Sequence, residues 1–309
     1  MKILITGSKG YVGSTLNNKL KLAYTVIGHG RTADNLSDTS EFFAVDIDRQ
    51  SNWKACLSGV NTIIHLAAVA HNKSNDPELI NEVNVSGTIN LAQQAVESSV
   101  KRFIFISSIG VLGNANLTPF NEQSSARPHS FYAESKLRAE SALLKIASES
   151  NMEVVIIRPV LVYGAGAPGN FGKLVNLVDR VPLLPFAICH NKRSFISVDN
   201  LVDFISVCII HPKAKNQIFC ISDGTDVSTR ELTNGIAEGL NKGLIQLPIP
   251  VSIFKILGKI TGKSHQIEQL IGDLQVDSSK AKKLLDWAPP VTMAETFRKL
   301  RVKKCFVKE

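Results

Sequence analysis

The chain has 309 residues, of which 44 % are hydrophobic and 20 % charged, a composition typical of globular proteins rather than disordered or fibrous ones. Its 35 basic and 27 acidic residues leave a net charge of +8, which favours anionic ligands. The basic residues do not alternate with aromatic ones, which argues against nucleic-acid binding. The sequence contains no apolar run of about 18 residues and no signal-peptide pattern, so we expect a cytoplasmic protein.

Short β-branched runs alternate with longer amphipathic segments over residues 1–160. The predicted strands are Lys2–Thr6, Thr25–Gly28, Phe42–Val45, Thr62–Leu66, Arg102–Ser107 and Val154–Arg158. The predicted helices between them are Tyr11–Leu22, Asn52–Leu57, Pro77–Ser98 and Phe131–Ser148. This alternation, with strands that are almost entirely apolar, predicts an α/β fold with a doubly wound parallel sheet and helices on both faces.

The pattern changes after Tyr163, where residues 164–169 have the glycine-rich composition of a loop. Helices Phe171–Arg180 and Ser228–Leu240 then mix with short strands Arg193–Ser197 and Gln217–Ile221. We expect a first domain over residues 1–165, to which residues 196–222 return. Residues 166–195 and 223–309 are expected to form a smaller, mixed α/β part that binds the substrate.

The first strand runs into Gly7, Gly10 and Gly13, and a helix follows. Glycine permits a tight turn that brings backbone N–H groups close to a pyrophosphate, and the N-terminus of the helix attracts the same anion. This context predicts a Rossmann-type dinucleotide-binding domain. The second strand ends without a carboxylate for a ribose 2′-hydroxyl, but Arg31 is placed to accept a 2′-phosphate, so NADP is favoured and NAD is the alternative.

Tyr132 and Lys136 are four residues apart on a predicted helix and therefore share one face. An ammonium group near a phenol lowers the phenol pKa from about 10, which makes it a useful proton donor and acceptor. Ser108 follows a strand at the edge of the sheet where ligands bind. We predict that these three residues form a catalytic group. The five cysteines include no CxxC pair, which argues against a disulfide framework or a zinc site, so no metal is expected.

Several motifs in order resemble the extended short-chain dehydrogenase/reductases, in particular their nucleotide-sugar epimerase/dehydratase group, over essentially the whole chain. They are Gly7/Gly10/Gly13, Val45-Asp46-Ile47, His65-Leu66-Ala67-Ala68, Asn84-Val85-Ser86-Gly87-Thr88, Ser107-Ser108 to Gly113, Tyr132/Lys136, Asp277-Ser278-Ser279-Lys280-Ala281 and Leu285-Asp286-Trp287. The resemblance implies a UDP-sugar substrate and a homodimer formed through the helix that bears Tyr132 and its neighbour.

The resemblance also implies roles for individual residues. Tyr132 would exchange the proton of a sugar hydroxyl, Lys136 would hold the nicotinamide ribose, and Ser108 would orient the reacting oxygen. Cofactor contacts are expected from Gly7, Gly10, Tyr11, Val12, Gly13, Arg31, Asp46, Ile47, Leu66, Ala67, Ala68, Asn84, Tyr132, Lys136 and Pro159. Substrate contacts are expected from Ser108, Asn170, Phe171 and Arg193, the last as a clamp on the diphosphate.

Some positions depart from the patterns of this group. Ser108 is followed by Ile109-Gly110 rather than by the acidic pair of the dehydratases, and Leu161 stands where 4-epimerases place Asn. These departures favour a reductase of a UDP-4-keto-6-deoxy-N-acetylhexosamine, which would consume reduced cofactor and supply polysaccharide precursors. The alternative is a UDP-glucose or UDP-N-acetylglucosamine 4-epimerase, which would keep NAD bound. A non-catalytic cofactor-binding regulator is a third reading, against which the intact catalytic group counts.

The segment Leu247–Pro250 and the following Ile253–Ile260 are apolar with interspersed lysines. This pattern suits a weak contact with a membrane surface, which would admit a lipid-linked sugar. The alternative is an ordinary amphipathic helix packed on the substrate part. His71, His129 and His190 are candidates to lie near the sugar, with plain surface positions as the alternative.

Overall fold

A computed structural model describes residues 1–32, 41–69, 76–262 and 264–305 of the chain. Its strands are β1 (Lys2–Thr6), β2 (Thr25–Gly30), β3 (Glu41–Ala44), β4 (Thr62–His65), β5 (Arg102–Ile106), β6 (Glu153–Pro159), β7 (Leu161–Tyr163), β8 (Leu183–Leu184), β9 (Arg193–Ser197), β10 (Gln217–Ile221), β11 (Asp226–Val227) and β12 (Ile245–Gln246). Its α-helices are α1 (Tyr11–Leu20), α2 (Lys54–Leu57), α3 (Pro77–Asn81), α4 (Thr88–Glu97), α5 (Phe131–Ser148), α6 (Gly169–Arg180), α7 (Val198–Ile210), α8 (Thr229–Gly239), α9 (Val251–Ile260), α10 (Ser264–Ile271), α11 (Ser279–Leu285) and α12 (Met293–Cys305).

The main sheet has seven parallel strands in the order β10-β6-β5-β4-β1-β2-β3. The chain moves outward from β1 to β3 and then returns to the other side of β1 at β4. In such an open sheet, ligands bind at the carboxyl ends of the strands where the strand order reverses. The order therefore places a binding crevice at the ends of β1 and β4.

Side chains of each strand alternate between two apolar cores, one on each face of the sheet. Ile3 and Ile5 of β1 belong to the core that includes Leu16 of α1 and residues of α7 and α11, whereas Leu4 belongs to the core that includes Leu143 of α5 and residues of α2 and α4. This period of two is a strand's intrinsic geometry, and burial on both faces explains the apolar strand sequences. The predicted α/β fold with a doubly wound parallel sheet is confirmed.

The second part of the chain has a core of its own, built mainly from aromatic residues. Tyr163, Phe171, Phe195 and Phe297 pack together, with ring centroids 5.5–6.3 Å from that of Tyr163. Two small sheets accompany this core, one in the order β11-β9-β7 and one of β8 and β12. The division of the chain into two domains stays a prediction, although β10 pairs with β6 in the main sheet.

The segment predicted as one helix, Pro77–Ser98, is divided in the structure. A π-helical turn, Glu82–Gly87, separates α3 from α4. Gly87 packs directly on the backbone after β3, since a Cβ there would lie 2.5 Å from the side chain of Ile47. Asn84, inside the π turn, is buried and makes hydrogen bonds to the backbone of Val69. Packing and hydrogen bonding to distant residues therefore distort a helix that local periodicity predicts to be continuous.

Arg102, at the start of β5, closes the end of helix α7. Its Nη1 donates to the carbonyl oxygens of Cys208, Ile209 and His211 at 2.7, 3.0 and 3.1 Å. Its Nε and Nη2 donate to Glu153 at 2.9 and 2.6 Å. A cation at this position satisfies carbonyl groups that the helix leaves unpaired and opposes the negative end of the helix dipole.

Within the described residues, no helix is long and apolar enough to cross a bilayer.

Replacing Arg102 with Met should lower the free energy of unfolding by about 3 kcal/mol, because buried carbonyl groups lose their donor. Lys101→Met is the matched control, since it removes the same charge from an exposed neighbouring position. Denaturant unfolding of both variants measures the difference. Equal stability of the two variants would show that Arg102 contributes nothing to the end of α7.

Candidate active site

The turn after β1 has the shape of an anion-binding loop. Gly7 has φ +71°, and its carbonyl oxygen accepts the N–H of Gly10 at 2.9 Å. A Cβ on Gly13 would lie only 2.1 Å from that same oxygen, so the turn is too tight for any side chain there. Gly10 precedes α1 and offers no side chain to cap it. The N–H groups of the first turn of α1 therefore point to a space that suits a pyrophosphate.

The other residues predicted to contact the cofactor lie mostly at the carboxyl edge of the sheet. Arg31 follows β2 and Asp46 follows β3, and both side chains are exposed. Leu66, Ala67 and Ala68 follow β4, where Ala67 lies 3.0 Å from the position of a Cβ on Gly7. Pro159 ends β6 and lines the cleft described below.

The predicted cofactor contacts Ile47 and Tyr11 have side chains that pack in apolar cores. Ile47 is buried in the core between the sheet and α4. Tyr11 lies in the first turn of α1 and packs against the cores of both parts of the chain. Its hydroxyl is buried without a hydrogen-bond partner among the described residues, and burial raises the pKa of this phenol. A Cβ on Gly164 would lie 2.7 Å from that hydroxyl, so the Tyr11 side chain faces the second part.

Helix α5 brings the predicted catalytic pair to the end of β5. Ser130 begins the helix, and its hydroxyl accepts the N–H of Ala133. Lys136 is buried, and its Nζ donates to the carbonyl oxygen of Ile106 at 2.8 Å. The same Nζ lies 5.9 Å from the centroid of the Tyr132 ring. The structure thus brings the tyrosine and the lysine onto one face of the helix, next to the strand that precedes Ser108.

The expected lowering of the Tyr132 pKa is wrong for this arrangement. Burial raises the pKa of Tyr132 to about 12. Burial also lowers the pKa of Lys136 to about 7, although the negative charge of Glu140 acts to raise it. The ammonium group is directed at a backbone carbonyl, so desolvation of both groups outweighs their attraction. Positive charge placed beside Tyr132 would lower this pKa.

A buried ion pair lies behind Lys136. Glu140, one helical turn further along α5, accepts hydrogen bonds from Nε and Nη2 of Arg158 in β6, the shortest 2.6 Å long. Both side chains are almost fully buried. Sequence reasoning missed this pair. An acidic residue four positions after the lysine was the one available signal.

A chain of buried hydrogen bonds connects the two halves of the site. Thr6, at the end of β1, bonds His65 Nδ1 at 2.8 Å, and His65 Nε2 bonds Thr88 Oγ1 at 2.9 Å. The hydroxyl of Thr88 donates to the carbonyl oxygen of Asn84. Burial and the charge of Lys136 hold the pKa of His65 well below its ordinary value. His65 therefore stays neutral. A neutral imidazole has one donor and one acceptor nitrogen, which its hydrogen bonds to Thr88 and Thr6 require.

Asn84 extends this chain to the catalytic helix. Its Nδ2 donates to Ser135 Oγ at 3.0 Å, and that hydroxyl donates to the carbonyl oxygen of Tyr132 at 2.8 Å. The Asn84 side chain is thus directed at α5 and at the backbone of Val69. This geometry lets Asn84 support helix α5, whereas the sequence resemblance implies a cofactor contact from it.

A cleft of about 520 Å³ opens beside this group. Ser108 and Tyr132 lie among its lining residues, and so do Asn170, Phe171 and Arg193. The Ser108 hydroxyl accepts the N–H of Gly110 at 3.1 Å. Arg193 donates to the carbonyl oxygen of Gly272 at 3.0 Å, and burial lowers the pKa of its guanidinium to about 10, so it remains charged at neutral pH. All four residues predicted to bind substrate therefore border one space.

The cleft also contains residues that sequence reasoning did not select. Helix α10 contributes Gln266, Gln269 and Leu270, and Gln269 accepts a hydrogen bond from Asn170 at 2.9 Å. No local motif marks these residues, because α10 follows α6 by more than eighty positions and meets it through tertiary packing. Among the candidate histidines, His129 lines the cleft, His190 is exposed outside its lining, and His71 lies outside the described residues.

The buried lysine should make stability depend on pH. Unfolded Lys136 keeps its proton up to its ordinary pKa of 10.5, whereas the folded protein releases it at about 7. Between these values the unfolded chain binds more protons, so stability should rise with pH. Denaturant unfolding of the cofactor-free protein at pH 7 and pH 9 should show this gain, and Lys136→Met should lose it. Lys145→Met, an exposed lysine on the same helix, should keep it, and parallel behaviour of both variants would contradict the prediction.

Comparison with known proteins gives one consistent family. The UDP-glucose 4-epimerase of Vibrio cholerae is 46 % identical over 305 residues, which are 96 % of this chain and 93 % of the relative. The N-acetyl-alpha-D-glucosaminyl-diphospho-ditrans,octacis-undecaprenol 4-epimerase of Escherichia coli O157:H7 is 27 % identical over 297 residues, 90 % of this chain and 88 % of that protein. These relatives match almost the whole length of the chain.

The fold has a solved counterpart as well. The crystal structure of UDP-glucose 4-epimerase with UDP-glucose from Thermotoga maritima superposes with a TM-score of 0.80 at 22 % identity, and it covers all of both chains. Residues 3–222 match the family described as the NAD dependent epimerase/dehydratase family. The predicted nicotinamide cofactor and the predicted class of enzyme are thereby confirmed. The chain belongs to the NAD-dependent epimerase/dehydratase family.

Proposed function

We propose that this protein is a UDP-sugar 4-epimerase, with UDP-glucose and UDP-galactose as the substrates to test first. The observation that carries the proposal is one cleft lined by Ser108 and Tyr132 and also by the cation Arg193. A hydroxyl-activating pair and an anion-binding group in one cleft fit a sugar linked to a diphosphate. The 46 % identity to a UDP-glucose 4-epimerase supports epimerisation over reduction.

The residues around the glycine turn fit NAD. A Cβ at Gly13 would collide with backbone, and Gly7 has φ +71°, so both positions favour the bare turn that a pyrophosphate requires. The turn from Gly7 to Gly13 would hold the pyrophosphate. The exposed Asp46 and the backbone of Ile47 would hold the adenosine end, since the Ile47 side chain is buried in the core. Ala67, Ala68 and Pro159 would line the path to the nicotinamide. NAD held there would supply a reversible hydride acceptor for C4 of the sugar, and the positive charge of its oxidised form would favour a phenolate at Tyr132.

Tyr132 is the residue that would move the proton. Its Oη would take the proton of the sugar 4-hydroxyl as the hydroxyl becomes a ketone, and would return it in the reverse step. Ser108 accepts a hydrogen bond from a backbone N–H, which leaves its own O–H to donate to the same sugar oxygen. Lys136 lies behind Tyr132, and its protonated ammonium group would stabilise the Tyr132 phenolate.

Arg193 and Asn170 would hold the diphosphate of the substrate. Arg193 is largely buried, and among the described residues Asp273 is the one attractive charge that acts on its pKa, so its desolvation is incompletely compensated. An anionic diphosphate in the cleft would complete that compensation. Asn170 lies at the start of α6, where the helix has no side-chain cap and its N–H groups favour an anion. A homodimer through α5 and its neighbour α4 stays a prediction for the same enzyme.

A second function is favoured by one specific observation. Arg31 is exposed at the end of β2, and the described residues of this strand end, which stop at Thr32, include no carboxylate for a ribose 2′-hydroxyl. That combination suits NADPH and hence a reductase of a UDP-4-keto-6-deoxy-N-acetylhexosamine. A reductase consumes one equivalent of reduced cofactor for each sugar, whereas an epimerase consumes none.

The test is to incubate the purified protein with UDP-glucose and follow UDP-galactose by NMR. We expect interconversion without net consumption of reduced nicotinamide. Tyr132→Phe should lower the rate by at least about 100-fold, because it removes the proton-transfer group. Tyr24→Phe, a half-buried tyrosine outside the cleft lining, is the control and should keep the rate.

Two outcomes would overturn the epimerase proposal. One is stoichiometric loss of NADPH absorbance with the 4-keto-6-deoxy sugar and no interconversion of UDP-glucose, which would establish the reductase. The other is full epimerase activity of Tyr132→Phe, which would remove the proposed proton transfer. Inactivity of the natural protein on UDP-glucose and on the 4-keto-6-deoxy sugar would exclude both as its substrates.

The glycine turn allows an independent test of cofactor binding. Gly13→Ala should abolish retention of NAD, because its methyl group would lie 2.1 Å from the carbonyl oxygen of Gly7. Gly243→Ala adds the same methyl group where no atom lies within 4 Å, and should bind NAD normally. The readout is the nicotinamide content of the purified proteins together with NAD titration. Normal binding by Gly13→Ala would contradict the assignment of this turn.

A further inference from the structure

Helix α9 presents its most apolar side away from the protein. Ile253, Ile256, Leu257 and Ile260 follow the spacing i, i+3, i+4, i+7, which normally marks the buried face of a helix. Here these side chains are 43, 56, 50 and 76 % exposed. We refer to these four residues as the outer row. Large apolar patches of this kind on a protein surface usually mark an interaction site.

The opposite side of α9 is packed, so the outward direction of the row is imposed by the fold. Phe254 is buried, and its ring stacks on Phe186 with centroids 5.7 Å apart. Gly258 is buried against α10, where a Cβ would lie 3.1 Å from Ile267 and 3.2 Å from Ser264. Turning the helix to bury the outer row would expose Phe254 and press side chains into α10.

The charged side chains carried by α9 itself are both lysines. Lys255 and Lys259 are exposed on the same helix, beside the row, and no carboxylate of the described chain lies within ion-pair distance of either. The sequence from Gly239 to Ile267 contains four lysines and no aspartate or glutamate. An apolar row beside lysines complements a membrane surface, where acyl chains lie beneath anionic phosphate groups. A second copy would instead bring like charges together.

Helix α9 packs on an element that lines the substrate cleft. Helix α10, on which α9 packs, lines the cleft through Gln266, Gln269 and Leu270. A protein docked through α9 would therefore hold its cleft near the membrane surface. Products or substrates that carry a lipid anchor would then reach the cleft without leaving the membrane.

We propose that the outer row of α9, with Lys255 and Lys259, is a docking surface for an anionic membrane. The isoleucine and leucine side chains insert between lipid headgroups, and the two ammonium groups contact lipid phosphates. This association is peripheral and reversible, since it uses one short helix. The proposal is independent of the sugar on which the enzyme acts.

The test is co-sedimentation of the full-length protein with vesicles in the absence of substrate. Vesicles of phosphatidylglycerol and phosphatidylethanolamine should bind the protein, and vesicles of phosphatidylcholine should bind it much more weakly. Replacing both lysines, Lys255→Gln with Lys259→Gln, should weaken binding by about 30-fold, from the attraction of each lysine to an anionic surface. Ile256→Ser with Ile260→Ser should abolish binding by removing the inserted side chains.

Matched controls separate this face from the general surface. Leu22→Ser with Ile210→Ser replaces two aliphatic residues exposed elsewhere, and Lys101→Gln with Lys145→Gln removes two exposed lysines from other elements. Both controls should bind vesicles as the natural protein does. All variants should keep the circular dichroism spectrum, and those of α9 should keep activity on a free UDP-sugar, because α9 does not line the cleft.

Three results would overturn the proposal. The first is no binding of the natural protein to either kind of vesicle. The second is equal binding by the natural protein and the α9 variants. The third is concentration-dependent self-association, measured by light scattering, that the Ile256→Ser with Ile260→Ser variant loses, because a second copy would then cover this face. None of these results depends on catalysis, so failure here is distinct from failure of the proposed function.

Discussion

A chain of buried hydrogen bonds ties the cofactor turn to the catalytic helix, and the geometry of the site depends on it. It runs from Thr6 at the end of β1 through His65 to Asn84, and from there through Ser135 to the carbonyl of Tyr132. His65 can serve as a link only while neutral, since a second ring proton would leave it without an acceptor nitrogen. Burial and the nearby charge of Lys136 keep it neutral. The glycine turn after β1 and helix α5 are thus held in a fixed relation by buried polar groups.

Uncompensated positive charge is the second constraint on the site. Lys136 is buried with its ammonium on a backbone carbonyl, and the nearby carboxylate of Glu140 is engaged by Arg158. Arg193, which lines the cleft, is largely desolvated as well. Buried charges destabilise a fold unless partners compensate for lost hydration. A site that carries such charges in the free protein gains more from an anionic ligand than a solvated surface does.

Some elements of this fold could be predicted from local sequence and others could not. The turn at Gly7, Gly10 and Gly13 was predictable because its geometry depends on the absence of side chains within a few residues. Helix α5 and its pair Tyr132 and Lys136 were predictable for a similar reason, since spacing on a helix is local. The π turn between α3 and α4 was not predictable, because it depends on the packing of Gly87 against Ile47, which is distant in the sequence.

The sequence by itself determined the α/β fold, the parallel sheet and the position of the dinucleotide turn, because periodicity, glycine spacing and strand composition are properties of short segments. Tertiary structure decided the proton affinities of Tyr132 and Lys136, which follow from desolvation by distant residues. It also decided which face of α9 is exposed, since the spacing of its apolar residues is the same whether the row is buried or faces outward. Local sequence patterns specify whether a segment forms a helix or a strand. Its tertiary surroundings set the pKa values and the exposure of its side chains, because they fix the local dielectric and the neighbouring groups.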